Sequence, residues 1–154
     1  MRRKKQLSVL LIAAMTASAL LAGCGGNDKT ADGKTVIELV HYKPEAVVVF
    51  EQLEEEFNAT HDDIQLKIES PNDAMTILKT RFTREDYPDI IGIGGDINYS
   101  YFVDAEILMD ISDYQGLSSI KSSYVDILEG LEFVPTEGTY GVPYAANAAG
   151  VLYN

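Results

Sequence analysis

Residues 35–41 read Thr-Val-Ile-Glu-Leu-Val-His (TVIELVH), and this stretch decides the class of fold that the sequence predicts. Four of its seven residues are Val, Ile or Leu, and β-branched residues are typical of strands. A short run that is this apolar indicates a buried strand, and strands buried on both faces occur mainly in parallel sheets covered by helices.

Helix and strand signals alternate in the residues that follow. Pro44 suits the first turn of a helix and Glu45 favours its positive end. Apolar residues then recur at helical spacing, at Val47, Phe50, Leu53 and Phe57. Alternation of apolar and polar residues over 64–68 (IQLKI) predicts a second strand.

The same alternation continues to the later part of the chain. Asn72 is the expected cap of a helix whose apolar face would be Met75, Leu78 and Phe82. Pro88 should end that helix, and residues 89–93 (DIIGI) predict a third buried strand. Two more helices are expected over about 97–106 and 118–131. The order βαβαβα predicts an α/β fold with a mostly parallel sheet flanked by helices.

Polar and small residues follow each predicted strand, as His-Tyr-Lys at 41–43, Ser-Pro-Asn at 70–72 and Gly-Gly-Asp at 94–96. Ligands of open parallel sheets bind at the carboxyl ends of the strands. Glycines at 94 and 95 would let the backbone approach a ligand closely. Turns require the same residue types, so the pattern leaves a binding role and a turn role both open.

The amino-terminal end contains a targeting signal. Residues 1–5 include four basic side chains, and residues 7–22 form an uncharged run of sixteen residues. This run is short for a membrane-spanning helix and suits a signal peptide, which we assign to residues 1–23. It ends Leu-Ala-Gly-Cys at residues 21–24, which resembles the lipobox of bacterial lipoproteins.

Cys24 would then accept a diacylglyceryl group, and its acyl chains would hold the protein at the membrane surface. The alternative is an ordinary buried cysteine behind a signal anchor. Residues 24–34 are polar and glycine-rich, which predicts a flexible tether, so the folded part should begin near Thr35.

Charge and composition exclude several classes of function. The chain has 154 residues with 12 basic and 24 acidic side chains, a net charge of −12. Removal of the signal takes away four basic residues and no acidic one, which leaves about −16 on 131 residues. A chain this acidic repels phosphate backbones, so no nucleic-acid partner is expected. One cysteine and two histidines make a poor metal set, so no metal or cofactor is expected either.

Motifs of common enzymes do not occur in this sequence. It contains no P-loop, no serine nucleophile elbow and no HExxH pair. Residues 92–97 (GIGGDI) follow a predicted strand, but the third glycine of a dinucleotide loop is replaced by Ile97. No catalytic residues are therefore predicted.

Four segments match one family pattern in the right order. They are the strand-helix-strand of 35–68 with LEEEFN at 53–58, then YPDII at 87–91, AEILMDISDY at 105–114, and GTYGVPY at 138–144 followed by GVLYN at 150–154. Together they resemble the extracellular solute-binding proteins of sugar-type ABC transporters. Glu106 stands where the family usually has glycine.

The resemblance implies a lobe of the type II periplasmic-binding-protein fold over residues 35–154. Such proteins have two lobes joined by crossing strands, and GVLYN at 150–154 resembles the strand that leaves the first lobe. The sequence is therefore expected to be an N-terminal fragment that lacks the second lobe.

The resemblance also implies a function. The expected protein is a lipid-anchored substrate-binding component of an ABC importer, located on the extracellular or periplasmic side of the cell membrane. It would capture a mono- or oligosaccharide and deliver it to the transmembrane subunits of the permease. The alternative is an anchored surface lipoprotein of another class, either a glycan hydrolase or an adhesive interaction domain.

The family's first-lobe ligand contacts fall, by resemblance, just after the first strand, in the loop after YPDIIGI, and near the VPY turn. On this chain they are His41, Tyr42, Gly95, Asp96, Tyr144 and Asn147. Asp96 would accept hydrogen bonds from two sugar hydroxyls, or it would cap the helix that starts near Ile97. Tyr42 would stack on a sugar ring or pack under the first helix, and Tyr144 would contact the ligand or pin the hinge.

Overall fold

β1 (Thr35–His41) is the central strand of a three-stranded parallel sheet. The computed structural model describes residues 29–146 of the chain, and its strands and helices lie in this range. β2 (Ile64–Glu69) pairs with β1 on one side, first residue opposite first residue, and β3 (Ile90–Gly92) pairs with it on the other. The strand order is β2-β1-β3, and the predicted α/β class is confirmed.

Helices follow each strand, in the predicted order. They are α1 (Val47–Thr60), α2 (Ala74–Phe82), α3 (Ile97–Asp104) and α4 (Ser122–Glu129), with 3-10 turns at Pro44–Ala46 and Gln115–Ser119. The three strands begin and end within one residue of their predicted bounds. Among residues 29–146, no helix combines the length and the apolar character that crossing a bilayer requires.

α1 and α2 cover opposite faces of the sheet. Successive side chains of a strand point to opposite faces. Val40 packs with Ala74 and Leu78 of α2 in a buried cluster, whereas the ring of His41 lies 4.1 Å from the ring of Phe50 on α1. This arrangement is what right-handed crossovers from β1 to β2 and from β2 to β3 produce, because β2 and β3 lie on opposite sides of β1.

α3 lies on the same face as α2. Phe102 is 2% exposed, and its ring meets that of Phe82 edge-on at 5.2 Å. Ser100 on the same helix is fully buried, and its hydroxyl accepts a hydrogen bond of 2.9 Å from the backbone N–H of Phe133. This bond attaches the segment after α4 to α3.

Two details of the first two helices differ from the prediction. Pro44 opens a 3-10 turn, and α1 begins only at Val47. Of the predicted apolar stripe, Val47 and Leu53 are 38% and 48% exposed, because α1 rests mainly on the edge strand β2. Asn72 does not cap α2, which starts instead after Asp73 without a side-chain capping bond.

The later helices are shorter than predicted. α3 ends at Asp104, and Glu106 has a φ of 55°, a left-handed conformation that glycine adopts most readily. This backbone geometry explains why glycine is the usual residue at that point of the family pattern. The helix expected over 118–131 begins only at Ser122. Ser118 and Ser119 belong instead to the 3-10 turn Gln115–Ser119, where their hydroxyls donate to the carbonyls of Gln115 and Gly116, and the chain is extended at Ile120.

The end of the predicted tether is hydrogen-bonded to itself. Thr30 and Lys34 close a turn through a backbone bond of 2.9 Å, and Gly33 within it has a φ of 89°. Lys29 also forms an antiparallel bridge with Thr35. Residues 29–34 thus form a turn directly before β1.

Candidate functional site

The carboxyl ends of β1 and β3 form a crevice between two connections that leave the sheet on opposite sides. After β1 the chain runs to α1 on one face, and after β3 it runs to α3 on the other. Such a divergence between neighbouring parallel strands is the place where open α/β sheets bind ligands. The carboxyl end of β2, residues 70–72, lies on the far side of β1 from β3. Of the three loops that were predicted to lie together, only the two that follow β1 and β3 therefore share this crevice.

His41 ends β1 and is buried at this crevice, with 2% of its surface exposed. Its Nδ1 accepts a hydrogen bond of 3.1 Å from the backbone N–H of Lys43, and its Nε2 lies 3.1 Å from the hydroxyl of Tyr144. Burial lowers the pKa of His41, and the charge of Lys43 lowers it further, while Glu45 acts in the opposite sense. The lowered pKa and the hydrogen bond that Nδ1 accepts both favour the neutral imidazole at neutral pH.

Gly92 makes room for the His41 ring. A Cβ atom built at Gly92 would overlap Cδ2 of the imidazole. Glycine inside a strand often marks a close approach of another group, and here that group is a side chain of the neighbouring strand. Phe50 closes the opposite side of the ring at 4.1 Å between centroids.

Tyr42 and Asp96 meet beside Gly94. A Cβ at Gly94 would lie 3.5 Å from the Tyr42 hydroxyl and 3.1 Å from Oδ2 of Asp96. The Nζ of Lys43 lies 5.5 Å from the centre of the Tyr42 ring. A hydroxyl and a carboxylate oxygen therefore flank one glycine at the end of β3.

The two oxygens of Asp96 are placed differently. Oδ1 caps α3, since it accepts bonds of 2.8 Å from the backbone N–H of Asn98 and 2.9 Å from its side-chain amide. Oδ2 is turned towards Gly94, and the residue as a whole is exposed. The capping role is present, and it leaves one carboxylate oxygen at the crevice.

Tyr144 reaches the crevice from a distant part of the chain. The residue is 57% exposed, but its hydroxyl is held against His41. Partial burial of that hydroxyl raises the pKa of Tyr144, and the neighbouring Tyr42 hydroxyl raises it further. His41, Tyr42 and Tyr144 thus form one contiguous aromatic group.

Gly95 stands apart from this group. It is exposed, and a Cβ there would make only an ordinary contact of 3.5 Å with Leu131. Asn147 and Cys24 lie outside the residues that the structure describes. In the part of the chain that is described, no cluster of three or more His, Cys, Asp or Glu side chains is placed to hold a metal ion.

Sequence reasoning missed Phe50 and Gly92 as parts of the site, whereas it named Gly94 as a point where the backbone comes close to a ligand. Phe50 belongs to an apolar helix face, where it resembles any core residue. The two glycines carried a usable signal, because glycine in or just after a buried strand indicates that another group comes close.

Comparisons with known proteins agree on one kind of protein. A family model described as bacterial extracellular solute-binding protein matches residues 18–154. The multiple sugar-binding protein of Streptococcus mutans serotype c is 28% identical over 157 residues, which covers all of this chain and 36% of that protein. The chain thus spans little more than a third of this curated relative.

Solved structures of RafE resemble the chain in fold. Apo RafE from Streptococcus pneumoniae superposes with a TM-score of 0.57 at 23% identity, over 69% of this chain and 26% of that one. RafE in complex with raffinose also gives a TM-score of 0.57, at 25% identity, over 62% of this chain and 25% of that one.

Proposed function

The chain belongs to the family of bacterial extracellular solute-binding proteins, and on this premise we propose that it contributes one wall of a carbohydrate site in the substrate-binding component of an ABC importer. The predicted type II lobe is confirmed by its likeness to RafE. The relatives are solute-binding proteins and not enzymes, which removes the main support for the alternative of a glycan hydrolase.

The observation that carries the proposal is the group of side chains at the carboxyl ends of β1 and β3. Oδ2 of Asp96 offers an acceptor for sugar hydroxyls, and the hydroxyls of Tyr42 and Tyr144 offer further hydrogen bonds. The chain has no tryptophan, so the two tyrosine rings would supply the aromatic surface for the apolar side of a sugar ring. One carboxylate among aromatic side chains is a typical composition of a small-molecule site.

The identity of two relatives supports carbohydrate as the ligand class. One is named a multiple sugar-binding protein, and the structure of the other was solved in complex with raffinose. In the proposed mechanism this lobe and a second lobe close on the sugar by a hinge motion and then deliver it to the permease subunits. Gly95 and Asn147, predicted from the same resemblance, remain proposed contacts of the bound sugar.

The proposed location is the outer side of the cell membrane. The family is extracellular by its description. We propose that residues 1–23 are a signal peptide, that Cys24 is acylated, and that residues 24–34 link this anchor to the lobe over residues 35–154.

The acylation proposal is tested by expression in a bacterial host with radiolabelled palmitate. The wild-type protein should take up label and fractionate with membranes, and Cys24→Ala should do neither. Label that persists in the Cys24→Ala variant would contradict the assignment of Cys24 as the anchor.

The ligand proposal is tested by calorimetry on the intact protein with raffinose as the probe. Asp96→Asn should bind about tenfold more weakly, because the amide replaces one acceptor oxygen by a donor. Its melting temperature should change little, since asparagine caps a helix about as well as aspartate. Asp113→Asn, an exposed change outside the crevice, is the matched control. If wild-type protein shows no heat and no thermal shift with raffinose or a broad sugar panel, carbohydrate is the wrong ligand class.

A further inference from the structure

The hydrogen bonds around His41 determine which of its nitrogens carries the proton. The backbone N–H of Lys43 can only donate, so Nδ1 must present a lone pair to it at 3.1 Å. In a neutral imidazole the other nitrogen then carries the hydrogen. Nε2–H is therefore the donor in the contact with Tyr144, and the hydroxyl oxygen of Tyr144 is the acceptor.

This direction of donation has a consequence for Tyr144. Since one lone pair of its oxygen is engaged by His41, its own O–H proton points elsewhere. The hydroxyl of Tyr42 is a neighbour of the Tyr144 hydroxyl and stands at the crevice beside Gly94. Proton donation thus runs one way, from Lys43 N–H through His41 and Tyr144 towards the crevice.

We propose that His41 is a positioning residue. It does not reach the ligand but holds the Tyr144 hydroxyl as a hydrogen-bond donor that faces outward. This point of the site therefore selects a ligand group with an accepting oxygen. The proposal rests on the proposed carbohydrate site. Ether and hydroxyl oxygens of a carbohydrate meet this requirement, whereas an ammonium group in the same place does not.

Three parts of the fold are shaped around the imidazole. Gly92 of β3 provides the space, Phe50 of α1 packs on the ring, and the turn after β1 supplies the N–H that selects the tautomer. Only 2% of His41 is exposed, so its side chain has no surface for a ligand. A residue that touched the sugar directly would need none of these features.

The tautomer is tested without any ligand, by NMR of the intact protein labelled with nitrogen-15 in histidine. The chain has two histidines, so His61→Gln assigns the signals of His41. At neutral pH the proton of His41 should be coupled to Nε2, and Tyr144→Phe should shift that signal. A proton on Nδ1, or a charged ring, would overturn the proposal.

The positioning role is tested by a double-mutant cycle with raffinose as the probe. His41→Phe keeps an aromatic ring and removes the donor, and it should weaken binding by about tenfold, as should Tyr144→Phe. The double variant should be no weaker than Tyr144→Phe alone, because His41 acts through that hydroxyl. His41→Gln, which retains an N–H donor, should recover part of the affinity even if His41→Phe lowers the melting temperature.

Additive losses in the cycle would show that His41 does not act through Tyr144 and would overturn the proposal. Wild-type protein that binds neither raffinose nor any sugar of the broad panel would instead contradict the proposed function. In that case the NMR result alone decides whether His41 holds Tyr144 in the proposed direction, so the two failures are distinguishable.

Discussion

Glu38 and His41 lie three residues apart on β1 and organise two polar networks of opposite character. Both carboxylate oxygens of Glu38 accept bonds from the guanidinium of Arg81, at 3.0 and 2.6 Å. Arg81 also donates to Asp86 at 3.0 Å, and the backbone N–H of Glu38 donates to Asp89 at 2.8 Å. This first network is charged, and its members largely bond to one another.

The network of His41 is neutral and ends in the hydroxyl of Tyr144, a residue that is 57% exposed. It runs from the Lys43 N–H to His41 and, in the direction we propose, on to the Tyr144 hydroxyl at the crevice. The comparison shows that one strand can contribute to both stability and binding. The ion pair of Glu38 and Arg81 links β1 to α2, whereas the neutral network of His41 ends in a hydroxyl that we propose is available to a ligand.

The largest expected effect is a loss of stability when the network of Glu38 is broken, with no change in ligand binding. Arg81→Met leaves the Glu38 carboxylate, whose side chain is only 21% exposed, without its partner. We expect unfolding free energy to fall by about 2–3 kcal/mol, less than for a fully buried pair because both groups keep some contact with water. Urea denaturation measures this loss. Raffinose affinity should stay unchanged.

Arg84→Met is the matched control for this change, since Arg84 is an exposed arginine just after α2. It should alter stability by less than about 0.5 kcal/mol. The double variant Arg81→Met with Glu38→Gln should recover part of the loss, because the unpaired charge is gone. Equal losses for Arg81→Met and Arg84→Met would mean that the Glu38 network does not stabilise the fold.

The next effect concerns the space that Gly92 leaves for His41. Gly92→Ala should cost about 1–3 kcal/mol in unfolding free energy, because the new methyl group overlaps the imidazole and must displace it. Gly95→Ala is the control for stability alone, since its methyl group meets Leu131 at an ordinary 3.5 Å. A Gly92→Ala variant as stable as the control would contradict the tight contact between β3 and His41.

Tyr144→Phe should weaken ligand binding with little effect on stability, which is the opposite of the result expected for Arg81→Met. Loss of one partly buried hydroxyl with a single hydrogen bond to His41 should change unfolding free energy by about 1 kcal/mol or less. Raffinose affinity should nevertheless fall about tenfold, or about 1.4 kcal/mol. Tyr124→Phe, which removes the hydroxyl of an exposed tyrosine on α4, should change neither quantity. A stability loss without an affinity loss would make Tyr144 a structural residue only.

The smallest expected effect is a difference between the two networks in how their contribution to stability depends on pH. Burial lowers the pKa of His41 below its ordinary value of 6.5, so the unfolded chain takes up a proton before the folded one does. The stability from neutral His41 is therefore fully present above about pH 6.5 and is lost as pH falls below it. Among the charged groups that face the ring, Lys43 strengthens this shift and Glu45 weakens it; the other titratable neighbours are Tyr42 and Tyr144.

The Glu38 network responds in a more acidic range. The hydrogen bond from Arg81 lowers the pKa of Glu38 below its ordinary 4.5, so its contribution is present above that pH and is lost as pH falls through the lowered value. Urea denaturation of the wild type should show a first loss of stability as pH falls below about 6.5, and His41→Gln should reduce this loss. A loss of the same size in both proteins would show that His41 is not its source.

The positions of the strands and helices could be predicted from the sequence, because local patterns of apolar and polar residues are sufficient to locate them. The apolar run of β1 and the helical spacing of Leu78 and Phe82 identify buried surfaces without knowledge of their partners. The helix ends were predicted less well. Asn72 and Asp73 are both plausible caps, and only the path of the chain into α2 selects between them.

The arrangement of the candidate site could be predicted in part. Sequence reasoning proposed Asp96 and Tyr42 because they follow strands whose carboxyl ends lie together, and the structure places both residues beside Gly94. The role of His41 was not found, since its ring is enclosed by three elements that are distant in sequence. Its partner Tyr144 is 103 residues away, and no local pattern links the two.

The sequence by itself determined the order of strands and helices and the parallel sheet, because these depend on residues near one another. It also determined the family to which the chain belongs, because the family is identified by motifs in a fixed order. Only the tertiary structure decided the strand order β2-β1-β3, and with it which two loops share a crevice. It also decided that His41 faces inward while Tyr144 faces outward. Burial and hydrogen-bond direction arise from contacts between distant segments, and those contacts exist only once the chain has folded.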